Sequence, residues 1–169
     1  MTFEMTMTKI SLHRPSQKTP AQKARRSAFC AIALMICCIT APLSAHQGAT
    51  GIVKERMDAF SQSRSQMKQM GRALQNNQFE VMAEISADMQ IWAKEIVNAF
   101  PDGSQIAPSE AGDSIWEDSE GFAKAAFLYE SSLIQLNEAA LLADRDAVIT
   151  AYSAVGQACK SCHRTYRQR

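Results

Sequence analysis

Four stretches of this chain repeat apolar residues at the three-and-four spacing of an amphipathic helix, and turn signals separate them. From about Thr50 to Gln75, Val53, Phe60, Met67 and Leu74 recur every seven residues, with Met57 and Met70 between them. That is the inward stripe of a bundle helix. Asn76-Asn77 interrupts it, and Asn77 followed by Glu80 resembles a capping arrangement that opens the second stretch. There Phe79, Met82, Met89, Ala93, Ile96 and Phe100 keep the spacing, while Ile85 and Trp92 widen the face. Pro101-Asp102-Gly103 closes it, and the segment to Gly112 reads as the one long loop.

Ser114-Ile115-Trp116-Glu117 has the form of a capping box and marks the third helix. Phe122, Ala126, Tyr129, Leu133, Leu136 and Ala140 follow in steps of four and three. The fourth helix begins near Asp144 or Asp146 and carries Val148, Tyr152, Val155, Cys159, Cys162 and Tyr166 in the same steps, so both cysteines fall at core positions. No strand pattern and no internal repeat interrupts this series. The spacing predicts an all-α fold, an antiparallel four-helix bundle with helices of about 20 to 26 residues, a class that holds cofactors between its helices.

The N-terminal part does not belong to the bundle. Residues 1–27 carry Lys9, Arg14, Lys18, Lys23, Arg25 and Arg26 against the single acid Glu4, and they lead into an apolar run from Ala28 to Pro42 closed by Leu43-Ser44-Ala45. That order matches a secretory signal, residues 1–45, with cleavage after Ala45 and a mature domain over 46–169. The run is shorter than the roughly 20 apolar residues of a membrane span, so no membrane contact is expected after cleavage. Arg25-Arg26 invites a twin-arginine reading, but Phe29 sits one place too far along. Met5 and Met7 are alternative starts for this long leader.

Cleavage changes the charge and cysteine counts. Twelve Lys and Arg against sixteen Asp and Glu remain, a net −4, which gives nucleic acid no electrostatic hold. Cys30, Cys37 and Cys38 leave with the signal, so Cys159 and Cys162 stay as the two cysteines. His46 and His163 stay as the histidines, and His46, at the new terminus, reads as a frayed residue rather than a ligand.

Cys159-Lys160-Ser161-Cys162-His163 has the spacing at which two thiols and an imidazole capture one haem. On a helix the three side chains project within roughly 100° of one another. Each thiol can then add to a vinyl group while His163 reaches the iron from the same side. Three other readings compete. A structural zinc site wants four ligands, a redox dithiol opens a helix in a strand-rich setting, and a disulfide across two helical residues is strained. The expectation is one covalently attached haem c.

Three segments carry a family resemblance: Val53-Lys54-Glu55-Arg56-Met57-Asp58-Ala59-Phe60, Ile115-Trp116, and Cys159 to Arg167. Together with the bundle pattern they resemble the cytochrome c-prime family, a four-helix-bundle family of haem proteins. The resemblance implies that Cys159 and Cys162 attach haem c and that His163 is the axial ligand. It also implies that Arg56 lies by the propionates, Met57 at the haem edge and Arg167 near the axial imidazole. Phe60 matches the position that covers the distal face of the iron. A phenyl ring cannot coordinate, so the resemblance implies a five-coordinate iron open to nitric oxide or carbon monoxide.

The alternative is a six-coordinate His/Met electron-transfer cytochrome, with Met57, Met67 or Met70 as the second ligand. Lys160, Arg164 and Arg169 are then candidates for docking an acidic periplasmic redox protein, although cations at a helix C-terminus also complement its dipole. No acid, base or nucleophile constellation points to an enzyme. The resemblance further implies a periplasmic location and a homodimer formed through the first two helices.

Overall fold

The computed structural model describes residues 48–168, so the expectations for the leader 1–45, for His46 and for Arg169 fall outside it. Helix α1 spans Gly51–Gln75, α2 Phe79–Glu95, a one-turn α3 Ser114–Glu117, α4 Ser119–Leu141 and α5 Arg145–Tyr166, with a 3-10 turn at Val97–Ala99. Among the described residues, extended pairing is limited to one bridge, Ala111 with Arg167. The all-α bundle expected from the spacing is the fold.

The stripes meet in a core built on Met70, Met82, Met89, Leu133, Leu136, Val148 and Val155, all fully buried. Burying a side chain of this size contributes about 1.5–3 kcal/mol relative to leaving it in water. Helix α4 is the central element and packs along both α2 and α5, while α1 packs mainly on α2. Polar groups pin the register between neighbours: the Asn137 amide donates to Ala83 O at 2.7 Å across α4 and α2, and the Gln66 amide donates to the Asp88 carboxylate across α1 and α2. Helices α1 and α5, by contrast, stand apart. They are tied at one level by the Tyr152 hydroxyl donating to Met67 O at 3.0 Å.

Three helix ends differ from the sequence expectation. Asn77 does not cap α2; it ends α1, in the left-handed region at φ 53, and the N–H groups of Asn77 and Gln78 return to Leu74 O and Ala73 O. That is a Schellman turn, in which asparagine tolerates the positive φ. The Ser114 box does not form either. The Ser114 hydroxyl donates to Thr165 O at 2.9 Å, the short helix ends at Asp118, and the Asp118 side chain caps α4 by accepting from Gly121 N at 3.1 Å. Finally, α2 stops at Glu95 rather than Phe100. Pro101 keeps Phe100 out of the α region, and the preceding turn tightens to 3-10.

Candidate functional site

The space between α1 and α5 is a cavity of about 930 Å³. That is within the range of sites that enclose a cofactor-sized ligand. Three walls build it.

Helix α5 supplies the first. Asp144 caps its start by accepting from Ala147 N at 3.1 Å, and the helix then runs unbroken to Tyr166. Cys159, Cys162 and His163 line the cavity from this one face. The cysteines are free and half-buried rather than packed in the core as their stripe positions suggested, because the stripe here faces the cavity. Burial raises the Cys159 thiol above its ordinary pKa; burial and the neighbouring Cys159 raise Cys162 to about 11. Both are therefore neutral thiols near pH 7. The His163 imidazole is held below its ordinary pKa, first by desolvation and then by the Arg167 and Arg64 charges, with Glu110 opposing. A neutral imidazole keeps the lone pair that a metal needs.

Helix α1 supplies the second wall. Phe60 sits across from His163, its ring centre 6.1 Å from the imidazole centre at an interplanar angle of 74°. An edge contact to Trp92 at 5.2 Å and a tilted one to Phe100 at 6.3 Å hold the ring from behind. Met57 and Met67 also line the cavity, whereas Met70 lies in the core with no exposed surface. Arg56 is not the solvated surface residue its charge alone would suggest: it is 1% exposed. Its guanidinium donates to Ala99 O at 3.1 Å, Ser104 Oγ at 2.8 Å, Ser104 O at 2.6 Å and Ser109 Oγ at 2.7 Å, and it stacks 4.4 Å over the Phe100 ring. All four acceptors are neutral. Burial depresses its pKa, but a guanidinium keeps its charge, so this wall is electropositive toward an anionic group.

The third wall is the loop from Phe100 to Gly112, which had no periodic pattern to reveal its contacts. It delivers Ser109, Glu110 and Ala111 to the cavity and pairs its backbone with the end of α5. Arg167, expected beside the axial imidazole, lies at the cavity rim, where its Nε donates to Glu110 Oε2 at 2.6 Å. Sequence reasoning also missed Tyr129, read there as core. Its hydroxyl is buried at the cavity wall without a hydrogen-bond partner. Desolvation pushes that phenol up to about 12.

These residues fit a haem c: a thiol pair and a neutral imidazole on one helix face, an apolar ring opposite, and a buried cation at one end. Among the described residues no cluster of three or more potential metal ligands occurs.

A family model described as cytochrome C′ matches residues 51–167. The cytochrome c′ of Rhodospirillum rubrum is 30% identical over 121 residues, covering 68% of this chain and 80% of that protein. Cytochrome c-556 of Agrobacterium tumefaciens is 42% identical over 76 residues, covering 44% of this chain and 60% of that protein. Among solved structures, the nitric oxide complex of a cytochrome c prime variant from Alcaligenes xylosoxidans aligns with a TM-score of 0.64 at 23% identity, covering 70% of this chain and 94% of that one. Another variant of the same protein was solved with carbon monoxide bound. With the bundle, the cavity and a family match that runs from α1 through Arg167, this chain belongs to the cytochrome c′ family of haem proteins.

Proposed function

We propose that the chain carries one haem c in the α1–α5 cavity, attached through Cys159 and Cys162 and ligated by His163, and that its iron stays five-coordinate and open to nitric oxide or carbon monoxide. The observation that carries this reading is the pairing of Phe60 with His163: the side chain opposite the imidazole has no atom that can coordinate. The bound haem supplies an iron that can take a small neutral ligand. The chain's own residues do the rest. Phe60, Trp92 and Phe100 keep water and larger ligands out of the face opposite His163, Arg56 meets propionate charge, and Met57 packs the haem edge. The nitric oxide and carbon monoxide complexes of the Alcaligenes protein support the same ligand class.

The leader, residues 1–45, takes the chain to the periplasm in this reading, and α1 and α2 form a homodimer interface. A second reading has one observation in its favour, since Met57 and Met67 also line the cavity. It makes the protein a six-coordinate electron carrier, with Lys160 and Arg164, exposed near the haem motif, meeting an acidic partner.

The test is the absorption spectrum of purified holoprotein, ferric and ferrous, with and without nitric oxide. High-spin spectra that respond to nitric oxide support the open site. Low-spin spectra in both oxidation states, unchanged by nitric oxide, reject it in favour of the six-coordinate reading. Intact mass on the same sample reads the covalent haem and the new N-terminus, and sedimentation reads the dimer.

A further inference from the structure

The end of α5 is cross-braced to the loop before α3 by an unusually dense set of contacts. Gly112 N donates to Tyr166 O at 2.9 Å, Gln168 N to Glu110 O at 2.8 Å and Ser114 Oγ to Thr165 O at 2.9 Å. A side chain at Gly112 would press on the Tyr166 carbonyl, with its Cβ only 3.1 Å from that oxygen. Within this brace both Nε and a terminal nitrogen of Arg167 donate to one oxygen of Glu110. The other end of the same loop is fixed by Arg56, through Ser104 and Ser109, and Ser109 Oγ also accepts from Ala111 N at 3.2 Å. The loop is thus a strap from the buried guanidinium on α1 to the guanidinium that follows His163 by one turn of α5.

The Glu110–Arg167 pair is half-exposed on both sides, so its contribution to stability is small. Its geometric effect is larger. Arg167 leaves α5 in an extended conformation, with φ −108 and ψ 129, and its long side chain is held by Glu110. Both residues line the cavity alongside His163.

We infer that Glu110 is a positioning residue for the His163 side of the site: by gripping Arg167 it fixes where that guanidinium stands relative to the imidazole, and so sets the strength of the bond from His163 to the iron. The inference rests on the proposed axial role of His163. Releasing Arg167 lets its charge redistribute between solvent and cavity. The axial bond then changes although no contact to His163 itself is altered.

The experiment compares ferrous holoprotein of wild type, Glu110→Ala, Glu110→Asp, Arg167→Ala and the double variant by resonance Raman spectroscopy. The iron–histidine stretching band should shift in Glu110→Ala, return toward wild type in Glu110→Asp, and show no further change when Glu110→Ala is added to Arg167→Ala. The absorption spectrum of the ferrous nitric oxide complex should change with that stretch. A Glu110→Ala protein with lowered thermal stability but an unshifted band would overturn the inference, as would independent shifts in the two single variants. If wild type itself shows no iron–histidine band, the assignment of His163 fails instead, and the two failures are distinguishable.

Discussion

Phe60 on α1 and His163 on α5 face each other edge to face across the cavity, with ring centres 6.1 Å apart. The two helices run antiparallel, so the pairing recurs one level deeper, where Tyr152 reaches Met67 O. Phe60 is fixed by more than its own helix. Trp92 holds it by an edge contact and Phe100 by a tilted one, aromatic pairs worth about 0.5–1.5 kcal/mol beyond area burial. A side chain held this way presents the same face to whatever His163 binds.

Replacing Phe60 by methionine should therefore place a thioether opposite His163 and convert a high-spin haem to a low-spin one. The absorption spectrum of the purified variant reads this directly, and nitric oxide should then bind more slowly because it competes with the sulfur. A spectrum indistinguishable from wild type would mean that position 60 does not face the iron and that α1 sits in a different register over the haem.

Arg56→Met should be costly for stability although both side chains are long. The substitution leaves Ala99 O, both Ser104 oxygens and Ser109 Oγ without their shared donor. Hydrogen bonds to a charged group contribute about 1.5–3 kcal/mol each before water replaces some of them, so a net loss of about 2–4 kcal/mol is expected. Arg56→Lys should recover little, because one ammonium cannot span four oxygens arranged around a planar fork. Urea denaturation measures the loss, and hydrogen exchange should place it in the loop from Ala99 to Gly112. A cost below about 1 kcal/mol, the scale of an exposed contact, would remove the strap's anchor.

The same burial that shapes the site makes the fold sensitive to alkali. Tyr129 and Tyr166 are both pushed up to about 12, chiefly by desolvation. Raised phenol values mean that the folded chain keeps protons the unfolded chain has released by pH 10–12. Stability contributed by these groups is complete below about pH 10 and falls as pH rises toward 12. Tyr129→Phe should flatten part of that fall, by on the order of 1–3 kcal/mol across the window. It should also leave stability near pH 7 unchanged or slightly higher, because it deletes a buried hydroxyl without a partner. Denaturation midpoints at pH 8 and pH 11.5 provide the comparison; an unchanged alkaline slope would show that Tyr129 ionises no later in the fold than outside it.

What could be read from the sequence, and what could not, divides by the kind of contact. Val53, Leu133 and Val155 were legible because burial of an apolar face imposes its period on the chain. That Cys159, Cys162 and His163 line one cavity was legible because their spacing puts them on one helix face. Glu110, Ser104 and Ser109 were not, since a loop residue bonded to a distant guanidinium leaves no period. Asn77 and Ser114 misled for a different reason. Each has the right chemistry for a cap, but Asn77 serves the helix before it and Ser114 is drawn to Thr165 O by the brace on α5. Tyr129 sat correctly in its stripe, yet only three dimensions show that the stripe borders a cavity there.

Gly121 joins that brace to the start of α4. Its N–H donates to Asp118 Oδ1 at 3.1 Å, and the other Asp118 oxygen accepts from the Tyr166 hydroxyl at 2.8 Å. A Cβ at Gly121 would overlap the Asp118 carboxylate and come within 2.5 Å of the Tyr166 oxygen. In an open helix Gly→Ala gains about 1 kcal/mol, so propensity alone predicts that Gly121→Ala stabilises. The crowding predicts the opposite: the carboxylate must leave, taking with it a cap worth about 1 kcal/mol and a charged hydrogen bond worth about 1.5–3 kcal/mol. The second effect is larger, and a net loss of about 1–3 kcal/mol is expected. Because Asp118, after burial, also holds the Tyr166 phenol high, that phenol should titrate earlier in the variant. A Gly121→Ala protein that is more stable than wild type, with Tyr166 still titrating near 12, would show that Asp118 has room to move and that α4 is not bolted to the helix end carrying His163.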